Sequence, residues 1–214
     1  MAQENSGKAR ITKKIKAFYP RKPHKYIRVI QVLFTKKNKF EILDSQIKEE
    51  LKAPDESVIL RLNLRYPEIH CQKKDPLYAN AKDLYPRLAK SLEEYGKTEL
   101  YQKALRAYNS DKEDFLPYAL VMRWENTFID KDYLSILLDI SVSYGNDSPS
   151  IERKTQVWDR KNGQKCRFAD FFPNGDIKLL FPDAPKHFEK ELFVLGEGGI
   201  EFFLPDGKSH ILGR

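Results

Sequence analysis

No stretch of this 214-residue chain approaches the run of about 18 apolar residues that a membrane-crossing helix needs. The N-terminal MAQENSGKARITKKIKAFYP lacks the apolar core of a secretory signal. As given, the chain reads as neither exported nor membrane-spanning: cytoplasmic if Met1 is its native start, extracytoplasmic if it is a trimmed domain. Cysteine is scarce. Cys71 and Cys166 stand far apart and neither belongs to a CxxC pair, so no disulfide framework is written here and two free, partly buried thiols are expected. His24, His70, His187 and His210 have no partners at a spacing that puts two imidazoles on one face, which excludes the common local metal motifs. GxSxG, HExxH, a Walker loop and a GxGxxG following a strand are all missing, and with them the local signatures of several enzyme classes. No cofactor is implied, and there is no fixed-period repeat or low-complexity tract.

What is present is a core and an uneven charge. Hydrophobic residues make up 41% and aromatics 12%, enough to fold despite a charged fraction of 32%. From Lys8 to Lys39 there are twelve Lys or Arg and no Asp or Glu; with Glu4 counted, the net +7 of the whole chain leaves −4 from Phe40 onward. The chain divides into a basic flexible leader, residues 1–25, and a single mildly acidic domain, residues 26–214. In the leader, Lys13, Lys14, Lys16, Arg21, Lys22 and Lys25 are interleaved with Phe18 and Tyr19. Such a segment can meet nucleic acid, anionic lipid or an acidic partner by counterion release. No recognised nucleic-acid motif accompanies it.

Periodicity predicts the elements. YIRVIQVLF, Tyr26 to Phe34, is β-branched and aromatic and reads as a strand, with a short second one at Phe40–Leu43. Asp44 then suits the cap of a short helix, SQIKEELK, before Pro54. In SVILRLNLRY, Val58, Leu60, Leu62 and Leu64 alternate with Ile59, Arg61, Asn63 and Arg65, the period of a strand with one wet side. From Asp75, a candidate N-cap followed by Pro76, the period becomes helical. Pro86 is expected to interrupt that helix, Gly96 to stop it, and Thr98 to cap a second. Tyr85, Tyr95, Tyr101 and Tyr108 then read as core-edge packing. YALVMRWENTFI and YLSILLDISVSY, joined by Asp130-Lys131-Asp132, form a hairpin; SIERKTQVWD with QKCRFA is expected to form another across Asn162-Gly163; a third turns at Glu197-Gly198-Gly199. Phe171 to His187 reads as a helical or irregular stretch. The class is α+β: an antiparallel sheet of consecutive hairpins packed against an interrupted long helix or helical hairpin.

Catalytic groupings are poor. His70 and Cys71 are neighbours in a strand context and point to opposite faces, and the runs Glu93-Glu94 and Asp111 to Asp114 look solvated. The GEGG at Gly196–Gly199 lacks the Lys-Ser/Thr and the helix of a phosphate loop.

From Ser57 onward, LNLRYPEI, the helical segment, FLPYALVMRWENTFIDKDYLSILLDISVSYG, TQVWDRKNGQKCRFADFF and LFVLGEGGIEFFLP follow one another in an order that resembles a known domain. It is similar to the extracellular domain of unknown function shared by RsiV-type anti-sigma factors and the PdaC-type peptidoglycan deacetylase. In that family Pro-Tyr, here Pro117-Tyr118, opens the long hairpin; an aromatic-Asp-x-x-x-Gly segment, here Trp158 to Gly163, forms a turn; an Asp-Phe pair, here Asp170-Phe171, starts a short helix. Where the family has a Tyr-x-Gly-Gly-Ala-His-type loop, this chain has YGNDSPSIERK, Tyr144 to Lys154. The chain ends soon after Pro205, and closing strands seen in relatives are expected to be absent. The resemblance implies a noncatalytic recognition module; in the anti-sigma relative the domain binds a host lysozyme. It points to Tyr144, Asn146 and Trp158 as binding candidates and to a protein or cell-wall glycan as ligand, with the basic arm docking on nucleic acid or an acidic partner as the alternative.

Overall fold

A computed structural model describes residues 25–35, 38–172, 192–203 and 209–213. Two sheets result. The larger has six strands in the order β1 (Lys25–Thr35), β2 (Asn38–Lys52), β3 (Val58–His70), β4 (Tyr118–Ile129), β5 (Tyr133–Ser143) and β6 (Ser150–Asp159). Every neighbouring pair is antiparallel except β3 and β4, which run parallel from Leu60↔Tyr118 to Leu64↔Met122. Parallel neighbours need a crossover, and the helices between them supply it. The predicted class, α+β with consecutive hairpins, is the observed one.

Strand β2 overturns one expectation. Instead of a short strand and an Asp44-capped helix, Asn38–Lys52 is extended throughout, paired on both sides by β1 and β3. Glu, Lys and Leu favour a helix in isolation, but a ladder on each edge outweighs a preference of a few tenths of a kcal/mol per residue. Half-buried Ile47, Glu49 and Leu51 alternate with Lys48 and Glu50, so the segment also satisfied period two.

The helical layer also departs from expectation. Asp75 Oδ1 does accept the Leu77 N–H at 3.0 Å, and α1 (Leu77–Ala81) follows. The break, however, falls at Lys82-Asp83. Pro86 lies in the first turn of α2 (Leu84–Tyr95), where its missing N–H has no intrahelical partner to lose. Gly96 stops nothing: it opens a π-turn, Gly96–Leu100, that runs directly into α3 (Tyr101–Ser110). Thr98 is no cap, because its hydroxyl donates to the Glu94 carbonyl at 2.8 Å. Glycine is needed at 96 for closeness. A Cβ there would stand 2.7 Å from Leu62 Cδ2, so the bent helix rests directly on β3. Between helix and sheet lies the main core, built from Leu60, Leu62, Leu64, Leu120, Met122, Leu138, Tyr85, Ala89 and Leu100.

The other face of β5 and β6 receives the second sheet, β7 (Phe193–Gly196), β8 (Gly199–Phe203) and β9 (Ser209–Gly213). The hairpin at Glu197-Gly198 was expected; β9 corrects the expectation that closing strands are missing, since it pairs with β8 from Gly199↔Gly213 to Phe203↔Ser209. Two hydroxyls fasten β7. Thr155 Oγ1 accepts the Phe193 N–H at 3.2 Å and Ser135 Oγ accepts that of Leu195 at 3.0 Å. Around them Val157, Cys166, Phe168, Phe193, Leu195 and Phe202 form a second, aromatic cluster. The hairpin foreseen between SIERKTQVWD and QKCRFA is reduced to one bridge, Trp158↔Lys165, with the chain after it turning into α4. The Asp170-Phe171 pair closes α4 (Phe168–Phe171) rather than starting it. Of the stretch expected to be helical or irregular after it, residues 173–187 lie outside the described residues.

Candidate functional site

The loop between β5 and β6 and the segment entering β4 meet at one end of the large sheet. Gly145 adopts φ +71°, and a Cβ on it would lie 3.2 Å from the Leu116 carbonyl, so the loop folds down on residues 115–117 only because position 145 is glycine. Tyr144, just before it, meets Tyr118 edge to face with ring centroids 5.2 Å apart; Tyr118 stacks on Phe115 at 5.9 Å, and Phe115 meets Tyr108 at 5.3 Å. Burial pushes the Tyr95 phenol above its ordinary range, and the hydrogen-bonded Tyr144 hydroxyl adds to that shift. The result is a row of rings running from α3 to the loop, each braced by the next.

Among the described residues, the exposed large hydrophobic side chains are Leu116 at 48%, Tyr144 at 36% and Ile151 at 64%. Leu116 and Tyr144 lie at this end, and Asn146 is exposed in the turn beside them. Ile151, in phase with Thr155 and Val157 along β6, projects from the opposite face of the sheet. Isolated apolar residues on a surface are ordinary; Leu116 and Tyr144, side by side on a rigid aromatic base, are a candidate contact surface. Tyr144 and Asn146, named from the sequence, lie together in this loop; Leu116 was not foreseen.

Trp158 is placed differently. It is 6% exposed, and its Nε1 donates to the hydroxyl of fully buried Tyr85 at 3.0 Å. The indole is a core member and presents no surface to a ligand. The turn after it satisfies itself: Asp159 accepts the Lys161 N–H at 2.7 Å and the Asn162 Nδ2 at 2.8 Å, and Asn162 Oδ1 accepts the Gln164 N–H at 2.8 Å. Gly163 takes φ +71° where a Cβ would be 2.1 Å from the Pro76 carbonyl, and Asn80 Nδ2 donates to the Gly163 carbonyl at 2.8 Å. This segment clamps the start of α1. Of the basic arm, Lys13, Lys14, Lys16, Arg21 and Lys22 lie outside the described residues, and Lys25 opens β1 opposite Ile47.

The described thiols are not activated. Burial pushes both the Cys71 and the Cys166 thiol up to about 11, the reverse of an activated thiolate. Both are free. His70 is exposed, 3.5 Å from Glu68. Among the described residues no three His, Cys, Asp or Glu side chains come together as a metal site, and no helix is long and apolar enough to cross a membrane. The buried carboxylate is elsewhere. Asp44, read as a helix cap, accepts the Trp124 indole N–H at 2.8 Å and Arg65 Nη2 at 2.5 Å, tying β2, β3 and β4 together.

No protein-family model and no curated protein matches the sequence. Solved structures do. A member of the DUF3298 family from Bacteroides fragilis NCTC 9343 aligns with a TM-score of 0.51 over 76% of this chain and 82% of its own, at 12% identity. A DUF3298 family protein from Pseudomonas aeruginosa PAO1 aligns with a TM-score of 0.42 over 74% and 80%, at 11% identity. The first of these shows a shared fold, that of a DUF3298 family protein.

Proposed function

We propose that the domain is a noncatalytic binding or sensing module for a protein or cell-wall ligand, taken at the end of the sheet formed by Leu116, Tyr144 and Asn146. The observation that supports this most is the exposure of Leu116 and Tyr144 on a braced aromatic row, next to the polar, exposed turn at Asn146. A ring held by neighbouring rings loses little freedom on binding, so its contact area converts efficiently into affinity. The sequence resemblance to the extracellular domain shared by RsiV-type anti-sigma factors and the PdaC-type deacetylase is consistent with such a role.

Co-sedimentation with purified insoluble cell wall at near-physiological salt, with excess duplex DNA present, tests it. Retention should survive the DNA, and Tyr144→Ala with Asn146→Ala should weaken it by about tenfold while the domain stays folded, its unfolding midpoint lowered only by the loss of the Tyr118 ring contact. Unchanged retention in that double variant would remove the loop as the site. The concentration of positive charge before Phe40 supports a second reading, in which the basic arm docks on nucleic acid. Release of the wild type by DNA favours it.

A further inference from the structure

Leu60, Leu62 and Leu64 of β3 face the helices, so Arg61, Asn63 and Arg65 face the opposite side of the large sheet. The register puts Lys48 of β2 and Val121 of β4 on either side of Asn63. Directly opposed side chains start about 5 Å apart, and same-face neighbours along a strand about 7 Å apart, so Lys48, Arg61 and Arg65 all root close to Asn63. Arg123, two residues beyond Val121 on the same face of β4, closes the group diagonally. All four cations are exposed, with Asn63 and Val121 half-buried between them. The group is rich in donors and short of acceptors. Asn63 Oδ1 accepts the Gln46 Nε2 at 2.6 Å, which leaves its own amide hydrogens without an acceptor among the described residues. Lys48 and Arg123 have no ion-pair partner among the described residues. The nearby carboxylates are engaged: Glu50 accepts Arg61 Nε at 3.2 Å, Asp44 accepts both Arg65 and Trp124, and Asp139, opposite Arg123, is bound by Arg153 at 2.7 and 2.8 Å. Glu125, the next same-face residue of β4, lies on the far side of Arg123 from Asn63.

We infer that Lys48, Arg61, Asn63, Arg65 and Arg123 together hold a phosphate group. Guanidinium forks and an ammonium group supply charge-assisted donors, and Asn63 adds a neutral donor in their midst, which suits the several acceptor oxygens of a tetrahedral oxyanion. Among the described residues no aromatic side chain is exposed on this face, so nothing there stacks a nucleobase. The phosphate is therefore a free ion or one carried on a polymer without bases. At an exposed site water and salt compete, and the affinity for a single phosphate belongs to the millimolar range. The site is independent of the ligand surface at Tyr144 and of the basic leader.

Nitrogen-resolved NMR of the full chain, titrated with inorganic phosphate at about 0.15 M salt, tests the site, because the amides of the basic leader report generic attraction in the same spectra. The Asn63 side-chain amide and the backbone of Lys48, Asn63 and Val121 should shift together and saturate with a Kd of about 1–10 mM. A short glycerol phosphate oligomer, titrated in the same way, separates the sources. Saturation by the oligomer at or below the phosphate concentration marks a phosphodiester chain, a response to phosphate alone marks the free ion, and either supports the site. Asn63→Asp keeps the shape and the bond from Gln46 but sets a carboxylate among the cations, and should weaken binding at least tenfold. Arg123→Gln, which breaks no ion pair, should weaken it about threefold. Circular dichroism of both variants guards against misfolding. Shifts confined to the leader amides, no saturation with either probe, or undiminished binding in Asn63→Asp would each overturn the proposal.

Discussion

Individual residues carry constraints that their type alone does not announce. Gly96 has ordinary helical φ and ψ, yet it cannot accept a methyl group without displacing Leu62. Gly96→Ala should therefore destabilise by about 1–3 kcal/mol, against the stabilisation of about 1 kcal/mol expected from helix propensity, as read from the denaturant midpoint. A stabilised variant would show that helix and sheet are less tightly apposed. Asp44 is the converse, a charge that looks like a surface cap and is buried. Asp44→Ala strands the Trp124 indole N–H and leaves Arg65 without its partner, for a loss of about 2–4 kcal/mol. Asp55 is where sensitivity to acid is expected. The Tyr108 hydroxyl at 2.7 Å and then Lys112 at 2.9 Å hold its carboxyl well below the usual carboxylate range. A depressed folded value means that the stabilisation is fully present above the unfolded carboxylate pKa of about 4 and is lost as pH falls below it. The wild-type unfolding midpoint should drop across that acid window, and Asp55→Asn should be lower at neutral pH with a flatter acid limb. Equal acid slopes in the two chains would assign the sensitivity to other groups.

At the scale of elements, legibility followed local periodicity. Strand β3 was readable because Leu60, Leu62 and Leu64 alternate with Arg61, Asn63 and Arg65, and the β4–β5 hairpin because Asp130-Lys131-Asp132 punctuates two apolar runs. The loop at Tyr144 was singled out from the sequence, whereas Leu116 comes to lie beside it only once the fold brings the two segments together. What was misread depended on distant partners. The β2 segment is extended because β1 and β3 flank it, Gly96 is inside a continuous helix because Leu62 lies beneath it, and Trp158 is core because Tyr85 takes its N–H. The mounting of β7 was likewise invisible, since nothing about Ser135 or Thr155 in sequence marks them as acceptors for backbone 38 or 60 residues away. Those hydroxyls protect what would otherwise be an exposed strand edge. Ser135→Ala and Thr155→Val should each cost about 1–2 kcal/mol, and amide exchange at Phe193 and Leu195 should accelerate well before that of β3 and β4. Exchange that accelerates uniformly over both sheets would mean the hydroxyls stabilise the molecule without specifically holding β7.

The molecule as a whole separates its charge from its core. Residues 1–24 hold seven Lys or Arg against Glu4, so their removal lowers the net charge from +7 to +1 while leaving intact every strand and helix described above. Among the described residues, stability rests on apolar burial and on the Asp44 and β7 attachments, all made by residues from Phe40 onward. Thermal unfolding of a chain beginning at Lys25 should therefore match that of the full chain within about 2 °C. Its affinity for a polyanion should fall, and the steep dependence of that affinity on salt should flatten, because each phosphate that the protein ceases to neutralise takes about one unit from the logarithmic slope. Binding to cell wall through Tyr144 should be unaltered by the same truncation. A shortened chain that loses wall and polyanion binding together would place recognition in the basic arm; one that keeps wall binding while losing the salt-steep component would leave the arm as an electrostatic aid to a surface whose specificity comes from the aromatic row.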